Sequence, residues 1–126
     1  MTPTLENIYE TISDFGLRHN QIVAIYVFGS TATGKYRNGS DIDIAIMVRG
    51  SMEGMERVQV ETSLSNFLKR DVDLIIFGDA NPLLQHQILT YGRLVFESDP
   101  KERVRQEVAA RREYLESLSL YKVIEG

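Results

Sequence analysis

Leu5, Ile8, Ile12 and Phe15 recur at helical spacing between Thr4 and about Arg18. That predicts an amphipathic helix with Thr4 as its N-cap and Gly16 near its end. From Gln21 to Phe28 the pattern becomes a dense run of β-branched and aromatic residues, which reads as a buried strand. Asp41 to Val48 reads as a second strand. Met52, Met55, Val58, Thr62, Leu64, Phe67 and Leu68 return to a helical period between Ser51 and Lys69, ending in a basic Lys69-Arg70 turn. Asp71 to Phe77 is a third strand. Pro82 suits the first turn of a helix that runs to about Tyr91, with Gly92 as its stop. Arg93 to Phe96 is a short fourth strand. Pro100 then opens a long C-terminal helix with Val104, Val108, Arg111, Leu115 and Leu118 along one face.

The connections constrain how these elements assemble. About a dozen Gly-rich residues join the first strand to the second, which predicts adjacent antiparallel strands. A whole helix joins the second to the third, which predicts a parallel pair. The expected architecture is a single α/β domain over 1–126. It has a mixed sheet of about four strands, helices packed mainly on one face and a long C-terminal helix. In this topology the end of the first strand and the starts of the second and third share one sheet edge.

Composition narrows the chemistry. The chain has 126 residues, 43% of them hydrophobic and 25% charged, as expected of an ordinary globular domain. It contains no cysteine, which excludes disulfides, thiolate metal sites and a cysteine nucleophile. The amino terminus lacks a basic flank before an apolar core, and no apolar run approaches the roughly 20 residues of a membrane span. The expectation is therefore a cytoplasmic protein without membrane contact. A formal net charge of −4 argues against direct nucleic-acid binding, which depends on clustered Lys and Arg.

The shared edge carries unusual residues. Gly29-Ser30 closes one apolar run, and Asp41-Ile42-Asp43 opens the next. Residues i and i+2 of a strand point to the same face, so Asp41 and Asp43 project together. Asp73, alternating with Val72 and Leu74, supplies a third carboxylate. Like charges about 4 Å apart repel by roughly 4 kcal/mol at an effective dielectric of about 20, so such a cluster calls for a cation. All-oxygen ligands favour Mg²⁺ or Mn²⁺, and Mg²⁺ fills its remaining positions with water and substrate phosphate. Gly29 lets backbone approach a phosphate closely, and the Ser30 hydroxyl with nearby amides can hold phosphate oxygens. Carboxylates facing such a turn make a phosphoryl- or nucleotidyl-transfer site. Asp71 is the alternative to Asp73, although its place beside Lys69 and Arg70 at the strand mouth favours Asp73. His19 and His86 each lack a second histidine at ligand spacing, and packing or surface roles fit them better.

Gly29-Ser30, ten intervening residues and Asp41-Ile42-Asp43 resemble the signature of the nucleotidyltransferase superfamily that includes DNA polymerase β. With Val72-Asp73-Leu74 and the short length, the chain is similar to the minimal nucleotidyltransferases of prokaryotic toxin–antitoxin pairs. That resemblance implies a nucleotidyltransferase that uses ATP and serves as the antitoxin of an all-helical HEPN-type toxin, transferring AMP to a tyrosine of it. It further implies metal binding by Asp41 and Asp43. Asp73 would share a metal or take the acceptor's proton, and Gly29 and Ser30 would hold the triphosphate. One departure stands out: Thr33 occupies a position where family members commonly carry Arg, leaving Lys35 or Arg37 as substitutes. Two alternatives follow, an antitoxin that binds nucleotide but acts by docking alone, and an aminoglycoside-type modifier of small molecules. The second needs more chain to build an acceptor pocket.

Overall fold

A computed structural model describes residues 5–29 and 41–125. Its elements are α1 (Leu5–Leu17), β1 (Ile22–Phe28), β2 (Ile42–Val48), α2 (Gly54–Leu68), β3 (Val72–Ile76), α3 (Pro82–Tyr91), β4 (Arg93–Glu97) and α4 (Pro100–Glu125). A 3₁₀ turn, Phe77–Asp79, links β3 to α3. The four strands form one sheet in the order β3-β2-β1-β4. β1 pairs antiparallel with both β2 and β4, and β2 pairs parallel with β3. The sequence-predicted alternation, strand directions and long C-terminal helix are all present. Thr4, the expected N-cap of α1, lies outside the described residues.

Local chemistry explains the boundaries. The Asn81 side-chain oxygen accepts from the Leu84 amide at 2.8 Å, and Pro82 fills the first turn of α3. The Gly92 amide then closes that helix on the Ile88 carbonyl at 2.8 Å. α2 stops because Lys69 turns left-handed, φ 55°, and sends its amide back to Ser65. Asp99 caps α4 by accepting from the Glu102 amide at 3.1 Å. Gly16 lies in the last turn of α1, near its end as expected, and a Cβ there would lie 2.5 Å from the Phe96 ring. It is a point of close helix–sheet approach.

Helices cover both faces of the sheet, which corrects the expectation of one-sided packing. On the first face Ile42, Ile44, Ile46, Val72 and Leu74 pack with Ile8, Ile12 and Phe15 of α1 and Leu64 and Leu68 of α2. On the second, Ala45, Met47 and Tyr26 pack with Ile88 of α3 and Ala110 of α4. The physical reason lies in the strands themselves. β2 is apolar at nearly every position and buried along almost its whole length, the pattern of a strand covered on both sides. Within β1 a bulge adds a residue: Ile22 faces Val48, and two positions later Ala24 faces Met47. Val23 and Ala24 thus both serve the second face, a displacement that strict alternation does not reveal.

Candidate active site

The parallel register of β2 and β3 sets Asp43 directly opposite Asp73. In-register residues of neighbouring strands project to the same face, so the two carboxylates share the second face, on the side of α3 and α4. β1 contributes Phe28, which faces Asp43 across the antiparallel pair and is half-buried. Asp41 precedes β2 and is exposed, as is Asp73, while Asp43 is half-buried. Asp71 lies just before β3, where its carbonyl accepts the Ile42 amide at 3.0 Å.

Gly29 follows β1 with φ 67°, a left-handed conformation that disfavours any side chain. A Cβ at this position would overlap Asp43 Oδ2. The glycine therefore has two reasons to be there, the turn itself and the approach of backbone to the Asp43 carboxylate. Ser30, Thr33, Lys35 and Arg37 lie outside the described residues.

Electrostatics mark Asp43 as the centre of the cluster. Its carboxyl is pushed above the usual carboxylate range, first by burial and then by the charges of Asp73 and Asp41. Asp71 is not among the causes. A cation at this point would offset a repulsion already present, and the all-carboxylate donor set suits a hard divalent ion. Among the described residues no three His, Cys, Asp or Glu side chains are drawn together closely enough to enclose an ion. Paired carboxylates completed by water and phosphate oxygens are the usual Mg²⁺ arrangement, so the residues fit that group as an open site.

The side chains that fix Asp73 escape a reading of the sequence. β3 is an edge strand, and its outward amides at Val72 and Leu74 need partners. α2 provides them: Ser65 Oγ accepts from Val72 at 3.3 Å and Glu61 Oε2 from Leu74 at 2.9 Å. Arg57 donates to the Leu74 carbonyl at 3.2 Å. Asp73 is thereby held between two anchored residues. Arg57, Glu61 and Ser65 recur at four-residue spacing in the sequence, a pattern equally typical of a solvated helix face.

A hollow of about 500 Å³ lined by Ser65, Asn66, Lys69, Arg70 and Asp71 opens on the carboxylate edge. Another, of about 450 Å³, lies at the opposite edge beside His19, Gln21 and Met52. The chemistry favours the first edge, because the carboxylates and the Gly29 turn are there. Among the described residues no helix is long and apolar enough to cross a membrane.

A mixed sheet with in-register aspartates beside a left-handed glycine turn is the frame of a nucleotidyltransferase domain. Residues 10–101 match the family described as Polymerase beta, Nucleotidyltransferase, and the chain belongs to that family. Among curated proteins it is 34% identical over 79 residues to "Protein adenylyltransferase MntA" of Shewanella oneidensis, covering 61% of this chain. The match spans 57% of that relative's length. Among solved structures, a toxin–antitoxin with AMP-PNP superposes with a TM-score of 0.81 at 24% identity, over 92% of this chain and 94% of that one. A chain from the tri-AMPylated Shewanella oneidensis HEPN toxin in complex with MNT antitoxin gives 0.77 at 21% identity, over 96% and 95%. At such identities the structural likeness establishes the fold.

Proposed function

We propose that the protein is a metal-dependent protein adenylyltransferase, the antitoxin of a HEPN-type toxin, which transfers AMP from ATP to a tyrosine hydroxyl of that partner. The observation that carries this reading is the in-register Asp43–Asp73 pair with Gly29 backbone against the Asp43 carboxylate. The 34% identity to a protein adenylyltransferase supports it, as does the shared fold of the toxin–antitoxin complexes.

In this reading Asp41 and Asp43 hold Mg²⁺ or Mn²⁺, and Asp73 either shares an ion or receives the acceptor's proton. The ion supplies charge neutralisation for the triphosphate and the departing group. Gly29 and Ser30 position the phosphates, contributing geometry more than charge. The acceptor oxygen forms a bond to the α-phosphorus, the α–β bridging bond breaks, and pyrophosphate leaves. In this reading transfer is direct, without a covalent enzyme intermediate.

Co-expression with a HEPN-type helical toxin, followed by mass spectrometry, tests the proposal. The partner should gain one or more AMP masses with wild type and none with Asp43→Ala. A partner left unmodified but still inhibited would overturn the enzymatic reading in favour of docking alone, the outcome that Thr33 in place of the family's Arg would favour.

A further inference from the structure

The C-terminal helix presents a second face that the sheet does not use. Its sheet-facing side runs through Glu107, Ala110 and Tyr114. Ala110 is buried, the Glu107 carboxylate accepts from Tyr26 at 2.6 Å, and Tyr114 stacks on His86 with ring centres 3.9 Å apart. One position further round, Val104, Val108, Arg111, Leu115 and Leu118 form a row spaced 4-3-4-3. Its four apolar members are 47%, 48%, 63% and 41% exposed. A spacing that averages 3.5 residues is the seam along which one helix packs against another. Exposed residues of this size are individually ordinary, but a continuous row of them is not.

Resting on the reading of a helical protein partner, we infer that this row is the docking seam for one helix of that partner. The seam identifies its occupant through charge. Its central position is Arg111, exposed and in loose contact with Glu107 at 3.7 Å, while Arg112 and Arg105, the latter paired with Glu102, line its outer edge. A second copy of this chain, paired antiparallel about the middle of the seam, would set Arg111 against Arg111 and bring both basic edges together. The helix that fits carries apolar residues at the same 3.5 spacing, with a carboxylate opposite Arg111 and an acidic residue facing Arg112. The seam lies on the helix covering the carboxylate-bearing face of the sheet. A partner seated there is held on the side of the molecule where transfer takes place.

The test measures binding of a purified HEPN-type helical toxin by titration calorimetry, with oligomeric state by light scattering. Leu115→Asp and Val108→Asp should weaken binding by roughly thirtyfold or more, the loss typical of an interface hot spot. Their melting temperatures should stay unchanged, because both side chains face solvent. Arg111→Glu should weaken binding too, and an acidic-to-Arg change in the partner should restore it. Tight binding that survives Leu115→Asp and Val108→Asp overturns the seam while leaving the proposed function intact. Wild type that fails to bind the partner overturns both. A wild-type dimer that these substitutions split into monomers would assign the seam to a second copy and overturn the inference.

Discussion

Replacing Gly29 by alanine separates the two roles given to that residue. The left-handed φ of 67° costs an alanine about 1–2 kcal/mol relative to glycine. The new Cβ would also overlap Asp43 Oδ2. That atom is the far end of a short side chain and can turn away, so the overlap should displace the carboxylate more than it destabilises the fold. For a domain of this size the backbone cost corresponds to a melting temperature lower by about 4–8 °C. The assay is thermal denaturation with and without Mg²⁺ and nucleotide, in wild type, Gly29→Ala, Asp43→Ala and the double variant. With Asp43 shortened to alanine, the nearest remaining atom is its Cβ at 3.5 Å, an ordinary contact. The backbone cost should therefore persist in the Asp43→Ala background, while the ligand-induced rise should be lost in all three variants. A Gly29→Ala protein that melts like wild type would refute the conformational argument. A cost that disappears in the Asp43→Ala background would show that the overlap, and not the backbone, was its origin.

Two further outcomes follow from the same geometry. The Asp43 carboxyl is raised by burial and then by Asp73 and Asp41, so its ionisation opposes folding. Without metal, the Asp43 contribution to stability, read as the difference between wild type and Asp43→Asn, should turn against wild type as pH rises from about 4, the unfolded carboxylate value, through the folded one. Asp43→Asn should then melt higher than wild type at neutral pH, and an Asp43→Asn protein that melts lower in metal-free thermal scans would contradict the assignment. Tyr26, almost fully buried, donates to Glu107 at 2.6 Å, and Arg103 holds the same carboxylate oxygen at 2.7 Å. Tyr26→Phe should reduce stability by about 1.5–3 kcal/mol in urea unfolding, the range for a hydrogen bond to a charged group, and an unchanged midpoint would show that the Tyr26–Glu107 contact does not anchor α4.

The order of elements, the strand directions and the edge at which Gly29, Asp41, Asp43, Asp71 and Asp73 meet were all legible in the amino-acid sequence. Each follows from local rules: the period of apolar residues, the length of each connection and the chemistry of Asn81, Pro82 and Pro100 at helix starts. Two-residue alternation also anticipated that Asp73 would face the same way as Asp43, because one register position decides it.

What only the tertiary structure decided depends on contacts between distant segments. The strands are apolar on both sides, so their composition does not say which helix covers which face. The bulge at Val23 shifts β1 by one position, and pairing with β2 is what reveals it. Gly16 marks the helix end in the sequence, but its contact with Phe96, eighty residues later, appears only once the helix has packed on the sheet. Glu61 and Ser65 look like solvated helix residues until the outward amides of β3 meet them. Sequence patterning records what each segment prefers by itself. The partners of an edge strand's amides, and the face left open on a long helix, exist only after the segments have packed.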